Sequence, residues 1–150
     1  MKMKTTKIIL LCLTSLLYSG IVSAQSDLEI RKVFEEYGNQ KGVIMVDLKG
    51  KMLDDYNFSA FKSIIIANRP EAGDFVRKCL AKDQEGAKKV KQVVSSGKVT
   101  SIILQLAPVK STNRLLLFNE NNEKPPRITL VYIETAESPD EILKFILKKK

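Results

Sequence analysis

The chain contains no histidine and only two cysteines in 150 residues. Without histidine there is no Ser-His-Asp triad, no Cys-His pair and no histidine-ligated zinc. Cys12 falls in the N-terminal apolar run, so Cys79 stands alone in the body of the chain. Neither an internal disulfide nor a CxxC redox or zinc site can form there. The motifs GxGxxG and GxxxxGKS/T are missing as well, and with them any sign of a nucleotide-phosphate cradle. Beyond the first residues no stretch is long and apolar enough to span a bilayer, which takes roughly 20 residues. No internal repeat or low-complexity linker divides the chain. No cofactor is implied, and any chemistry is left to carboxylates, lysines and hydroxyls.

The N-terminus has an obvious purpose. Lys2, Lys4 and Lys7 form a positive region ahead of the apolar run Ile8–Leu17, and Val22-Ser23-Ala24 places small residues where a signal peptidase reads. This predicts a secretory signal peptide over 1–24, cleaved before Gln25. Its three lysines account for part of the formal charge of +8, which falls to +5 on cleavage. Residues 25–150 then suit one domain, long enough to bury a core and held by packing instead of disulfides. The expected location is periplasmic or extracellular.

Ser26-Asp27-Leu28-Glu29 reads as a capping box, and Ile30, Val33, Phe34 and Tyr37 follow at the spacing of one helical face. A helix is expected over 27–37, with Gly38 ending it in the left-handed conformation. Strands are expected near 43–48 and 62–67, where β-branched residues cluster. Between them Met52, Leu53 and Tyr56 fit one helical turn. Pro70 opens a helix over 70–81, striped by Ala72, Phe75, Val76, Cys79 and Leu80, which makes Cys79 a core thiol. A further helix is expected over 84–95, with Ala87, Val90 and Val94 inward, Lys88, Lys89 and Lys91 outward, and Gly97 as terminator. The alternation in Val99–Ala107, Asn113–Asn119 and Arg127–Glu134 predicts three strands of an antiparallel meander. Ser138-Pro139-Asp140-Glu141 then caps a helix over 139–148.

Together these elements predict a single α+β domain with about five mainly antiparallel strands covered by helices. For function, Lys88, Lys89 and Lys91 form a basic cluster suited to an anionic partner. The plainer reading is the wet face of a helix. Nucleic acid fits poorly with an exported chain whose aromatics fall at core spacings. Asp47, Asp54 and Asp55 are the candidate acids of a carboxylate hydrolase or lyase, which would need two acids held about 5–9 Å apart. A small-ligand carrier would need a hollow core instead. Asn57-Phe58-Ser59 matches the N-glycosylation pattern, which matters only in a eukaryotic secretory pathway.

Three short stretches carry a resemblance: Val33-Phe34-Glu35-Glu36-Tyr37, Gly42-Val43-Ile44-Met45-Val46 and Lys51-Met52-Leu53. In their order the chain resembles small exported Bacteroidetes proteins of the domain-of-unknown-function type. The resemblance implies export and an α+β fold, and it carries over no catalytic residue. The expectation is a non-catalytic module of the bacterial envelope that binds a protein or an anionic envelope component.

Overall fold

The computed structural model describes residues 27–148. The expected signal peptide and Ser26 lie outside this range. One antiparallel sheet organises the rest. Helix α1 (Arg31–Tyr37) leads to strand β1 (Val43–Lys49), a 3-10 helix (Gly50–Tyr56) and β2 (Phe58–Ala67). Helix α2 (Pro70–Asp83) precedes β3 (Lys88–Ser95), β4 (Lys98–Val109), β5 (Thr112–Asn121) and β6 (Arg127–Thr135), and α3 (Pro139–Lys148) follows. The order across the sheet is β1-β2-β6-β5-β4-β3. Because β2 is second from one edge and β3 forms the other, α2 must cross the sheet before the meander walks back to meet β2.

The crossing buries one face. Val33, Phe34 and Tyr37 of α1 and Ala72, Val76, Cys79 and Leu80 of α2 pack on Ile64, Ile66, Ile102, Leu104, Leu106, Leu116, Phe118, Ile128, Leu130 and Tyr132. Of these, Ile102, Leu104 and Leu106, then Leu116 and Phe118, then Ile128, Leu130 and Tyr132 alternate along the three meander strands, as burial of one face requires. Each fully buried Val, Leu or Ile contributes about 1.5–3 kcal/mol, so packing outweighs propensity in a helix as short as α1. The opposite face is covered only in part. There Leu115 and Ile133 pack on Ile142 of α3, beside Phe58, Phe61, Leu117, Val131 and Ile146.

Three expectations are corrected. The segment expected as a helix over 84–95 is strand β3, which makes six strands instead of five. Val90, Val93 and Val94 are spaced like a helical stripe but are β-branched, and β4 needs a partner along its outer edge. Ser96 and Gly97, at φ 50° and 76°, close the β3–β4 hairpin with two left-handed residues, the requirement of a type I′ turn. Second, α1 begins at Arg31 and not at Asp27. Its N-cap is Ile30, which gives no side-chain hydrogen bond; the Asp83 carboxylate at the end of α2 accepts the Glu29 and Ile30 amides at 2.7 and 2.8 Å. Glu29 is drawn to Lys32 instead, at 2.6 Å. Third, Gly38 stays right-handed, at φ −60°. Its missing side chain serves contact, since a Cβ there would meet the Phe34 carbonyl and the Met45 sulfur.

Candidate functional site

The candidate acids do not converge. Asp47 lies on β1 directly across from Lys62 of β2, and their side chains pair at 3.3 Å. The Lys62 ammonium also sits 5.0 Å from the centre of the Phe34 ring, so it is shared between an anion and an aromatic face. Asp54 and Asp55 are exposed on the 3-10 helix. Of that helix only Leu53 is buried; Met52 and Tyr56 are exposed, so the expected apolar turn faces inward through one residue.

Lys88, Lys89 and Lys91 are exposed on β3, the edge strand, and not on a helix. Lys88 opposes Gln105 and Lys91 opposes Ile103, whereas Lys89 opposes Leu104, and a bulge at Val90 breaks the register between them. Opposed residues share a face, so Lys88 and Lys91 lie on the half-covered side and Lys89 on the other. Lysines and a bulge on an edge also hinder pairing with another chain.

Two concavities gather chemistry. The first, about 380 Å³, lies between α2 and the β3–β4 hairpin and includes Asp74, Arg77, Lys98 and Glu120 in its walls. The Arg77 guanidinium donates to Asp74 at 2.6 Å and to Glu120, and Lys98 approaches Asp74 at 3.5 Å. The hydrogen bond from Arg77, followed by the charge of Lys98, holds the Asp74 carboxyl below its usual range. That is the wrong direction for a general acid. Gly73 makes the arrangement possible, because a Cβ there would fall 2.6 Å from Glu120 Oε1 and 3.1 Å from an Arg77 nitrogen.

The second concavity is a groove of about 290 Å³ lined by Asp55, Tyr56, Phe58, Glu137, Glu141 and Ile142. Its floor is aromatic: Tyr56 stacks on Phe58 with ring centres 6.3 Å apart, and Phe58 on Phe61 at 6.4 Å. Tyr56 remains 60% exposed, so much of its ring faces solvent. Asn57, left-handed at φ 56°, ends the 3-10 helix, and the register shift between Phe58 and Ala60 irregularises the start of β2. Thr135, fully buried, ties the walls together. Its hydroxyl donates to the Asn57 carbonyl at 2.7 Å and accepts the Glu137 amide at 3.0 Å. Sequence reasoning missed this groove. The only local signal was the density of aromatics in Tyr56-Asn57-Phe58 and Phe61.

Asp83, Cys79 and Arg114 are buried elsewhere in the fold. Burial pushes the Asp83 carboxyl above its ordinary range, against the pull of the two amides it accepts. It also raises the Cys79 thiol, which is free and buried as expected. Arg114, only 3% exposed, donates to the Ala107 carbonyl at 2.8 Å and grips Asp27 with both terminal nitrogens.

No curated protein and no solved structure matches the chain. A family model does, over residues 17–146, and by that match the chain belongs to a family of unknown function, DUF6108.

Proposed function

We propose that the protein is an exported, non-catalytic binding module of the bacterial envelope. The observation that carries this reading is the groove beside Tyr56. It has an exposed aromatic floor, carboxylates at Asp55, Glu137 and Glu141, and walls held by Thr135. Exposed aromatics beside polar groups are the usual anchors of recognition, since a rigid ring supplies contact area at low entropic cost. Support against catalysis comes from how the other acids are committed. Asp47 is paired with Lys62, and Asp74 and Glu120 with Arg77. Export rests on the leader pattern of residues 1–24, and a bacterial envelope on the resemblance to Bacteroidetes proteins. The partner of this reading is a protein that fills the groove; the lysines of β3 offer a second surface to an anionic envelope component.

The test is in-cell cross-linking of the tagged protein, with mass spectrometry of what it captures, in three forms: native, Tyr56→Ala, and Lys88, Lys89 and Lys91 all changed to Glu. One dominant partner lost with Tyr56→Ala supports the groove. Loss in the lysine variant alone moves the interface to β3 and its anionic partner. Turnover of a defined substrate by the purified protein would overturn the non-catalytic reading.

A further inference from the structure

The two edges of the sheet are built differently. β3 carries three lysines and a bulge at Val90, devices that keep an edge from pairing. β1 has neither. Its register with β2 runs unbroken from Val43 opposite Ile66 to Lys49 opposite Ala60, and its first four residues, Val43, Ile44, Met45 and Val46, are uncharged. Ile44 is 61% and Met45 38% exposed. The Val43 amide is bonded to the Gln40 carbonyl at 3.2 Å; from Ile44 onward an outer edge of this kind presents a row of backbone donors and acceptors, flanked by apolar side chains as far as Val46.

The pattern along β1 is also symmetric about its middle residue. Ile44, Val46 and Leu48 lie on the half-covered face, and Val46 is the midpoint of Val43–Lys49. We infer that β1 pairs antiparallel with β1 of a second copy, about a two-fold axis through Val46, giving one continuous twelve-stranded sheet. Full overlap then sets Ile44 against Leu48 of the second copy and Val46 against its own counterpart, an unbroken apolar ladder. On the other face Met45 meets Asp47 and Val43 meets Lys49, so no like charges oppose each other. An axis at Asp47 would set two aspartates face to face. An axis at Met45 shortens the overlap by two residues, and one at Leu48 by four. The full-overlap register is therefore the favoured one, and it is closed, because a two-fold contact uses up both copies' edges.

The register makes a sharp test. Directly opposed residues have Cα atoms about 4.5–5.5 Å apart, inside the range a disulfide spans. In protein with Cys12 changed to serine, Val46→Cys should oxidise to a covalent dimer. Ile44→Cys alone should not, while Ile44→Cys with Leu48→Cys should. Light scattering should give twice the chain mass, and Ile44→Lys should halve it with the circular dichroism unchanged, since Ile44 is mostly exposed and leaves the core untouched. A native protein that stays monomeric at the highest concentration light scattering can reach would overturn the inference. So would cross-linking by Ile44→Cys alone, or an Ile44→Lys variant that keeps the doubled mass.

Discussion

Replacing Gly73 by alanine reverses the usual sign of a helix substitution. Glycine inside a helix costs about 1 kcal/mol relative to alanine, so Gly73→Ala in α2 should ordinarily stabilise. Here the new methyl would sit 2.6 Å from Glu120 Oε1 and 3.1 Å from an Arg77 nitrogen. The Glu120 carboxylate is the end of a flexible side chain and can rotate away, so the overlap itself is cheap to relieve. What rotation gives up is the bond to Arg77, made where the two side chains are 12% and 16% exposed. A hydrogen bond between charged groups in such a place contributes about 2 kcal/mol. The net is a loss of about 1 kcal/mol, or roughly 4 °C in Tm for a domain of this size. In a Glu120→Ala background the clash partner is gone, and Gly73→Ala should then stabilise by about 1 kcal/mol. The coupling in this double-mutant cycle is therefore about 2 kcal/mol. Urea unfolding of the four proteins measures it. Stabilisation by Gly73→Ala in the native background, or additivity across the cycle, would refute the reasoning.

The contrast between what could and could not be read from the chain follows the distance over which each feature is decided. Ile102, Leu104 and Leu106, or Ile128, Leu130 and Tyr132, alternate because a strand buried on one face imposes a period of two, and the structure places them together. α2 announced itself through Pro70 and its stripe. β3 did not, because it buries almost nothing: Val90 is half-buried and the other seven residues are exposed. With no buried face there is no alternation to see, and the bulge at Val90 shifts the phase of what remains. The dipeptide Ser96-Gly97 is a turn signal, although Gly97 also fits the end of a helix. The start of α1 was misplaced because its cap, Asp83, comes from more than fifty positions away. The groove was hidden for the same reason. Asn57 and Thr135 are 78 residues apart, and only the pairing of β2 with β6 brings their walls together. Local rules decide elements, whereas caps and grooves are made by side chains that meet only after folding.

Thr135→Val keeps the volume but removes the hydroxyl between Asn57 and Glu137. It should cost about 1–3 kcal/mol for the unsatisfied buried groups, with faster amide exchange at Glu137; unchanged exchange there would show that Thr135 does not tie the groove. Cys79, buried and with its thiol pushed up by burial, should resist a thiol reagent in native protein and react once urea unfolds it. Native labelling at the rate of an exposed cysteine would place it outside the core. Asp83 yields the pH dependence. Burial pushes its carboxyl above the ordinary aspartate range, so ionisation costs more in the folded chain than in the unfolded one. Its contribution to stability is then complete below the unfolded value of about 4 and declines as pH rises through the raised folded value. Asp83→Asn keeps one acceptor for the Glu29 and Ile30 amides and cannot ionise, so the native protein's advantage over this variant should shrink across that window. Urea unfolding of both from pH 3 upward reads the difference directly. An advantage that grows with pH would mean that the two amide hydrogen bonds outweigh desolvation, and that Asp83 caps α1 as a stabilised anion.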